Sequence, residues 1–149
     1  IVALDGRVVG QHKGIIHYTI GQRKGLGIGG GVNDDNSPFY VVRIDRDANQ
    51  VIVGDKEALA RDLIHIDQCN WLTNDIPAQG LNIMLKFRSV MKPMPAHLIT
   101  HSDGTATITL SSAQYGIAPG QAAVCYLDNR VIGGGWIKST DNSQYKLAA

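Results

Sequence analysis

Long apolar runs are missing from this 149-residue sequence. None approaches the ~18 residues that a membrane-spanning helix needs, which excludes a transmembrane helix, and no membrane partner is expected. The opening residues, Ile1 to Gly6, carry no basic stretch and too short an apolar one for a secretory signal. Cysteine is scarce. Cys69 and Cys125 lie far apart, form no Cys-x-x-Cys pair and define no disulfide framework, as two reduced cytoplasmic thiols would. An initiator methionine is lacking, so we expect a segment of a longer chain. Helical signals are also few. The best lies over 55–61, with Asp55 and Glu57 in its first turn and Arg61 in its last, about two turns at most.

Acidic residues are absent from two long stretches, although the whole chain carries 13 acids against 14 Lys and Arg. Residues 6–33 hold Arg7, Lys13, Arg23 and Lys24 with no acid. Residues 76–102 hold Lys86, Arg88 and Lys92 with no acid. Between them, residues 34–75 carry nine acids. A phosphate backbone would be drawn to the outer stretches and repelled by the middle one. Charge runs of this size are also ordinary solvated faces, so charge alone leaves both readings open.

What is abundant is glycine, at 17 residues, together with strand signals. Residues 2–4 and 7–9 flank Asp5-Gly6, a dipeptide favoured in hairpin turns. The run 14–20 is rich in β-branched and aromatic residues and reads as a strand. Residues 39–44 and 50–53 flank a polar turn and read as a hairpin. Further strands are expected over 64–66, 81–87, 97–100, 105–110, 122–127 and 131–137. Residues 105–110 alternate polar and apolar, as a half-buried antiparallel strand should. About ten short strands predict a mainly β protein: a small β-rich adaptor domain over 1–62, then an antiparallel β-barrel over 63–149.

The glycine-rich run Gly21 to Gly31 formally contains GxGxxG at Gly25-Leu26-Gly27-Ile28-Gly29-Gly30. A dinucleotide site needs a helix opening on that loop, and the polar residues 32–38, ended by Pro38, supply none. No Lys-Ser or Lys-Thr follows the glycines, so a P-loop fails too. What remains is a loop whose start carries Gln22, Arg23 and Lys24, suited to phosphates or simply solvated. The five histidines lack metal-ligand spacing with the cysteines, and no serine sits in a nucleophile elbow. No catalytic residue and no metal site is expected in this chain.

The run His17-Tyr18-Thr19-Ile20-Gly21-Gln22-Arg23-Lys24-Gly25-Leu26-Gly27-Ile28-Gly29-Gly30, followed by Pro38-Phe39-Tyr40-Val41-Val42, closely resembles the tRNA-specific 2-thiouridylases, the MnmA/TrmU family. Ala118-Pro119-Gly120-Gln121 and Gly133-Gly134-Gly135-Trp136-Ile137 look like barrel motifs of the same family. The resemblance implies a cytoplasmic parent enzyme that activates the wobble uridine with ATP and inserts sulfur from a cysteine persulfide. It implies that ATP with Mg binds an N-terminal pyrophosphatase domain, that both catalytic cysteines lie there, and that a sulfur-donor protein serves the parent. Cys69 and Cys125 match neither cysteine. The resemblance further implies that Lys86, Phe87, Arg88 and Gln121 contact tRNA, with Gln22, Arg23 and Lys24 as further contacts or as an interface to the N-terminal domain. Phe87 either stacks on a base or packs in the core. A scaffold that packs on the catalytic domain, or an unrelated RNA-binding barrel, are the competing readings.

Overall fold

A computed structural model describes residues 1–28 and 37–143. Gly29, Gly30 and Gly31 of the glycine-rich run lie outside the described residues. The described residues divide into two compact units, 1–59 and 60–143.

The first unit is built on a three-stranded sheet in the order β1 (Val2–Ala3), β3 (Gln50–Gly54), β2 (Tyr40–Asp45). β2 and β3 form the expected hairpin, from Tyr40 opposite Gly54 to Asp45 opposite Gln50, with a register shift between Val41 and Arg43. The Asp45 carboxylate accepts the Ala48 N–H at 2.9 Å and Asn49 adopts φ 50°, the left-handed conformation Asn tolerates in turns. Val41, Val51 and Val53 are wholly buried, packed with Ile1, Ala3, Leu26 and Phe39.

Three local expectations are corrected in this unit. Residues 14–20 form a single 3-10 turn, Ile15–His17, instead of a strand. Ile15 and Tyr18 pack against the core while Ile16 points to solvent, so a three-residue spacing overrides β propensity. Residues 2–4 and 7–9 make only one bridge, Val2 to Val8, and β1 pairs with β3 in parallel instead. The helix over 55–61 is one 3-10 turn, Glu57–Leu59, with Asp55 accepting the Ala58 N–H at 2.8 Å. Arg61 already begins the next strand.

The second unit is a closed antiparallel barrel of six strands: β4 (Arg61–Trp71), β5 (Leu81–Lys86), β6 (Met94–Thr100), β7 (Ala106–Gln114), β8 (Ala122–Leu127) and β9 (Arg130–Asp141). Around the barrel they run β4-β7-β6-β5-β8-β9, and β9 returns to β4. Alternation sends every second side chain inward. Ile64, Leu85, Leu98, Ile108 and Ile132 are fully or almost fully buried, each worth about 1.5–3 kcal/mol of burial. The 105–110 pattern holds, with Ala106, Ile108 and Leu110 inside and Thr109 outside.

β9 lies between β8 and β4, and its glycines permit the approach. A Cβ on Gly134 would collide with the Ala123 carbonyl oxygen on β8. On the other side, β4 bulges between Asp67 and Asn70 where it pairs with β9.

Candidate nucleic-acid interface

Lys86 ends β5, and Phe87 and Arg88 follow it. Strand alternation carries Leu85 and Phe87 inward and leaves Lys86 and Arg88 outward. Phe87 is 5% exposed and belongs to the barrel core. Of its two sequence readings, its burial favours packing in the core over stacking on a base.

Lys86 lies opposite Val124, so the end of β5 meets the start of β8. That pairing brings Lys86, Arg88 and Gln121 to one end of the barrel. Lys86 Nζ donates to the Ser89 carbonyl at 2.9 Å. Arg88 Nη2 donates to the carbonyls of Tyr115 and Gly116, at 2.5 and 2.9 Å. Its guanidinium also sits 5.4 Å from the centre of the Phe87 ring. Gln121 Nε2 donates to the same Gly116 carbonyl at 3.3 Å, and its Oε1 accepts the Ala118 N–H at 3.2 Å. Arg88 and Gln121 therefore brace one loop, residues 115–121, from two sides. A guanidinium has five N–H donors, so donors remain for an anion.

Gln22, Arg23 and Lys24 lie in the first unit. Gln22 Oε1 accepts the Thr19 N–H at 3.0 Å, its Nε2 donates to the Lys24 carbonyl at 3.0 Å, and its own carbonyl takes the Val41 N–H. Gln22 is thus a loop brace, while Arg23 and Lys24 are exposed. Nearby, His12 Nδ1 accepts the Gly14 N–H, which leaves Nε2 as donor to the Asn49 carbonyl at 2.9 Å.

The cysteines are poor nucleophiles. Burial pushes the Cys125 thiol up to about 12, with Cys69 adding to the shift. Burial also raises Cys69, helped by the charges of Asp67 and Asp103. Both stay protonated near neutrality, and a thiol attacks only as thiolate. Across the barrel's closing strands, His65 Nε2 lies 3.3 Å from the Asp141 carboxylate, and hydrogen bonds of 3.4 and 2.8 Å join His65 to Thr107 and Thr107 to His101. These contacts link β9, β4 and β7 on the outer face. Among the described residues, no group of three or more His, Cys, Asp or Glu stands close enough to hold a metal. No helix among them is long and apolar enough to cross a membrane.

The partners of Arg88 were not foreseeable from sequence. They are backbone carbonyls, which every residue carries. The only local sign is Gly116, whose φ of +70° suits glycine.

Comparison with known proteins adds two family models. Residues 1–55 match the tRNA methyl transferase PRC-barrel domain, and residues 61–137 match the aminomethyltransferase beta-barrel domain. A tRNA-specific 2-thiouridylase MnmA from Rhodospirillum centenum is 47% identical over 96% of this chain. Similar proteins of the same name come from Rhizorhabdus wittichii, 42% identical over 100% of the chain, and Xanthobacter autotrophicus, 47% identical over 99%. The matches cover 37%, 36% and 39% of those relatives, so the chain spans little more than a third of their length.

Proposed function

Since this chain belongs to the tRNA-specific 2-thiouridylase (MnmA/TrmU) family, we propose that it is the tRNA-holding portion of such an enzyme, inert by itself. Membership in that family sets aside the unrelated RNA-binding barrel. In this reading the longer enzyme works in the cytoplasm and replaces the C2 oxygen of the wobble uridine by sulfur. An N-terminal pyrophosphatase domain outside this chain holds ATP with Mg, which supplies the activation, and carries the two reactive cysteines. A donor protein delivers the persulfide sulfur. The present chain contributes affinity and orientation for tRNA.

The observation that carries this reading is Arg88 and Gln121 bracing the 115–121 loop, with Lys86 in register with Val124 at the start of β8. Two cations with unspent donors next to a braced loop suit phosphate oxygens, which position an RNA without reading it. The test is a tRNA titration at several salt concentrations. The logarithm of affinity should fall linearly with the logarithm of salt. Absence of salt-dependent binding would overturn the reading.

A second reading is favoured by one observation. The first unit presents Ile16 and Val8 to solvent, at 86% and 79% exposure. Such side chains suit packing against a further domain, which makes this unit a scaffold for the catalytic part.

A further inference from the structure

The outer face of the barrel over β4, β9 and β8 carries a feature that phosphate contacts leave unexplained. Trp136 on β9 is half exposed, paired with Ala122 of β8 on one side and Asp67 of β4 on the other. Among the described residues its ring meets no other ring. Beside it runs a groove of about 310 Å³. The floor is Ala122 to Val124 with Gly133 to Gly135, and the far wall is Leu72 and Val131. The three glycines of that floor carry no side chain, which lets a flat group lie close to the backbone there.

The rim is polar. Gln68 and Asn70 line the groove, and both are exposed. Their side-chain amides have no hydrogen-bond partner among the described residues. Gln68 holds φ 48° inside the β4 bulge, a conformation uncommon for a residue other than glycine. Bulges re-aim side chains, and here the bulge carries both amides to the groove. Each amide offers a donor and an acceptor, the pattern that matches the edge of a heterocyclic base. Lys86 lies in register with Val124, and Lys138 stands two residues beyond Trp136 on the same strand. Asp67 is the acid beside Trp136 and disfavours a phosphate there, so the uncharged base is the group that fits the groove.

We propose that this groove binds an unstacked nucleobase of RNA, with Trp136 as the stacking surface and Gln68 and Asn70 as readers of the base edge. The proposal rests on the RNA-holding reading above. A larger groove of about 580 Å³ over β5 to β8 is a poorer candidate. There Asn82 is already bonded to His97 at 2.8 Å, and the Ser111 hydroxyl to the Pro95 carbonyl at 3.0 Å.

The experiment titrates the chain with two RNAs of equal nucleotide count, a hairpin with an unpaired loop and a blunt duplex. Trp fluorescence and affinity are read together. The hairpin should bind roughly ten-fold tighter and quench the fluorescence, as base stacking on an aromatic ring does. Trp136→Leu should abolish the preference and the quench while leaving the salt dependence intact. Trp136→Phe should retain part of both. Gln68→Ala with Asn70→Ala should lower hairpin affinity severalfold and spare the duplex. Trp71, packed against the core, reports the integrity of the fold in each variant. Equal binding of both RNAs, unchanged by Trp136→Leu, overturns the base site, keeps the RNA-holding reading and assigns this face to a protein partner. Binding of neither RNA overturns that reading and the base site with it.

Discussion

Arg88 has two roles that a sequence cannot separate. Its Nη2 holds the Tyr115 and Gly116 carbonyls, while its other donors face outward. Lysine has the charge but not the planar fork. Arg88→Lys should therefore weaken tRNA binding through a loosened 115–121 loop, with little change in the salt slope. Lys86→Ala should do the reverse and reduce the salt slope by about one, read from the same titration. Cys125 yields a pH prediction. Its folded value lies above the ordinary 9.0, near 12. The folded state holds that proton more tightly than the unfolded state. The stability tied to the neutral thiol is thus complete below about 9 and is lost as pH rises toward about 12. Denaturant midpoints of the wild type should fall across that range, and Cys125→Ala should fall less.

Among the elements, β9 is the most constrained. It pairs with β8 and β4 at once, and three successive glycines, Gly133 to Gly135, run between them. A methyl group at Gly134 meets the Ala123 carbonyl, part of a paired strand that has little room to yield. Gly134→Ala should cost about 2–3 kcal/mol, seen as a lowered denaturation midpoint. The strand expectations hold where alternation is regular, as over 105–110, and where β-branched and aromatic residues flank a polar turn, as over 39–44. They fail over 14–20, where Ile15 and Tyr18 reach the core on one side of a turn. Composition there favours a strand, but the turn Ile15–His17 lets both side chains reach the core.

At the scale of the whole molecule, the near-neutral net charge of +1 conceals a segregated distribution. The acid-free stretch 76–102 supplies β5 and β6 and the cations at one barrel end. The acid-rich stretch includes the turn of the β2–β3 hairpin and the start of β4. Among the described residues no nucleotide-binding loop is recognisable. Adding ATP with Mg should leave the melting temperature unchanged, whereas tRNA should raise it. A shift with ATP would overturn the placement of the nucleotide site in the rest of the longer enzyme.

The sequence by itself determined the mainly β class, the β2–β3 hairpin, most barrel strands and the family. Each of these rests on local information: alternation of period two, turn residues at fixed spacing, and a long contiguous motif. The three-dimensional structure decided where the candidate site residues lie and what they touch. Phe87 turns inward because it continues the inward row of Ile83 and Leu85. Arg88 finds its partners 27 and 28 residues away, because closure of β5 against β8 carries the 115–121 loop to it. Trp136, read in sequence only as part of a motif, becomes a surface feature because β9 places it opposite Ala122 over a floor of glycines. Such relations depend on which strands become neighbours, and local pattern carries no record of that choice.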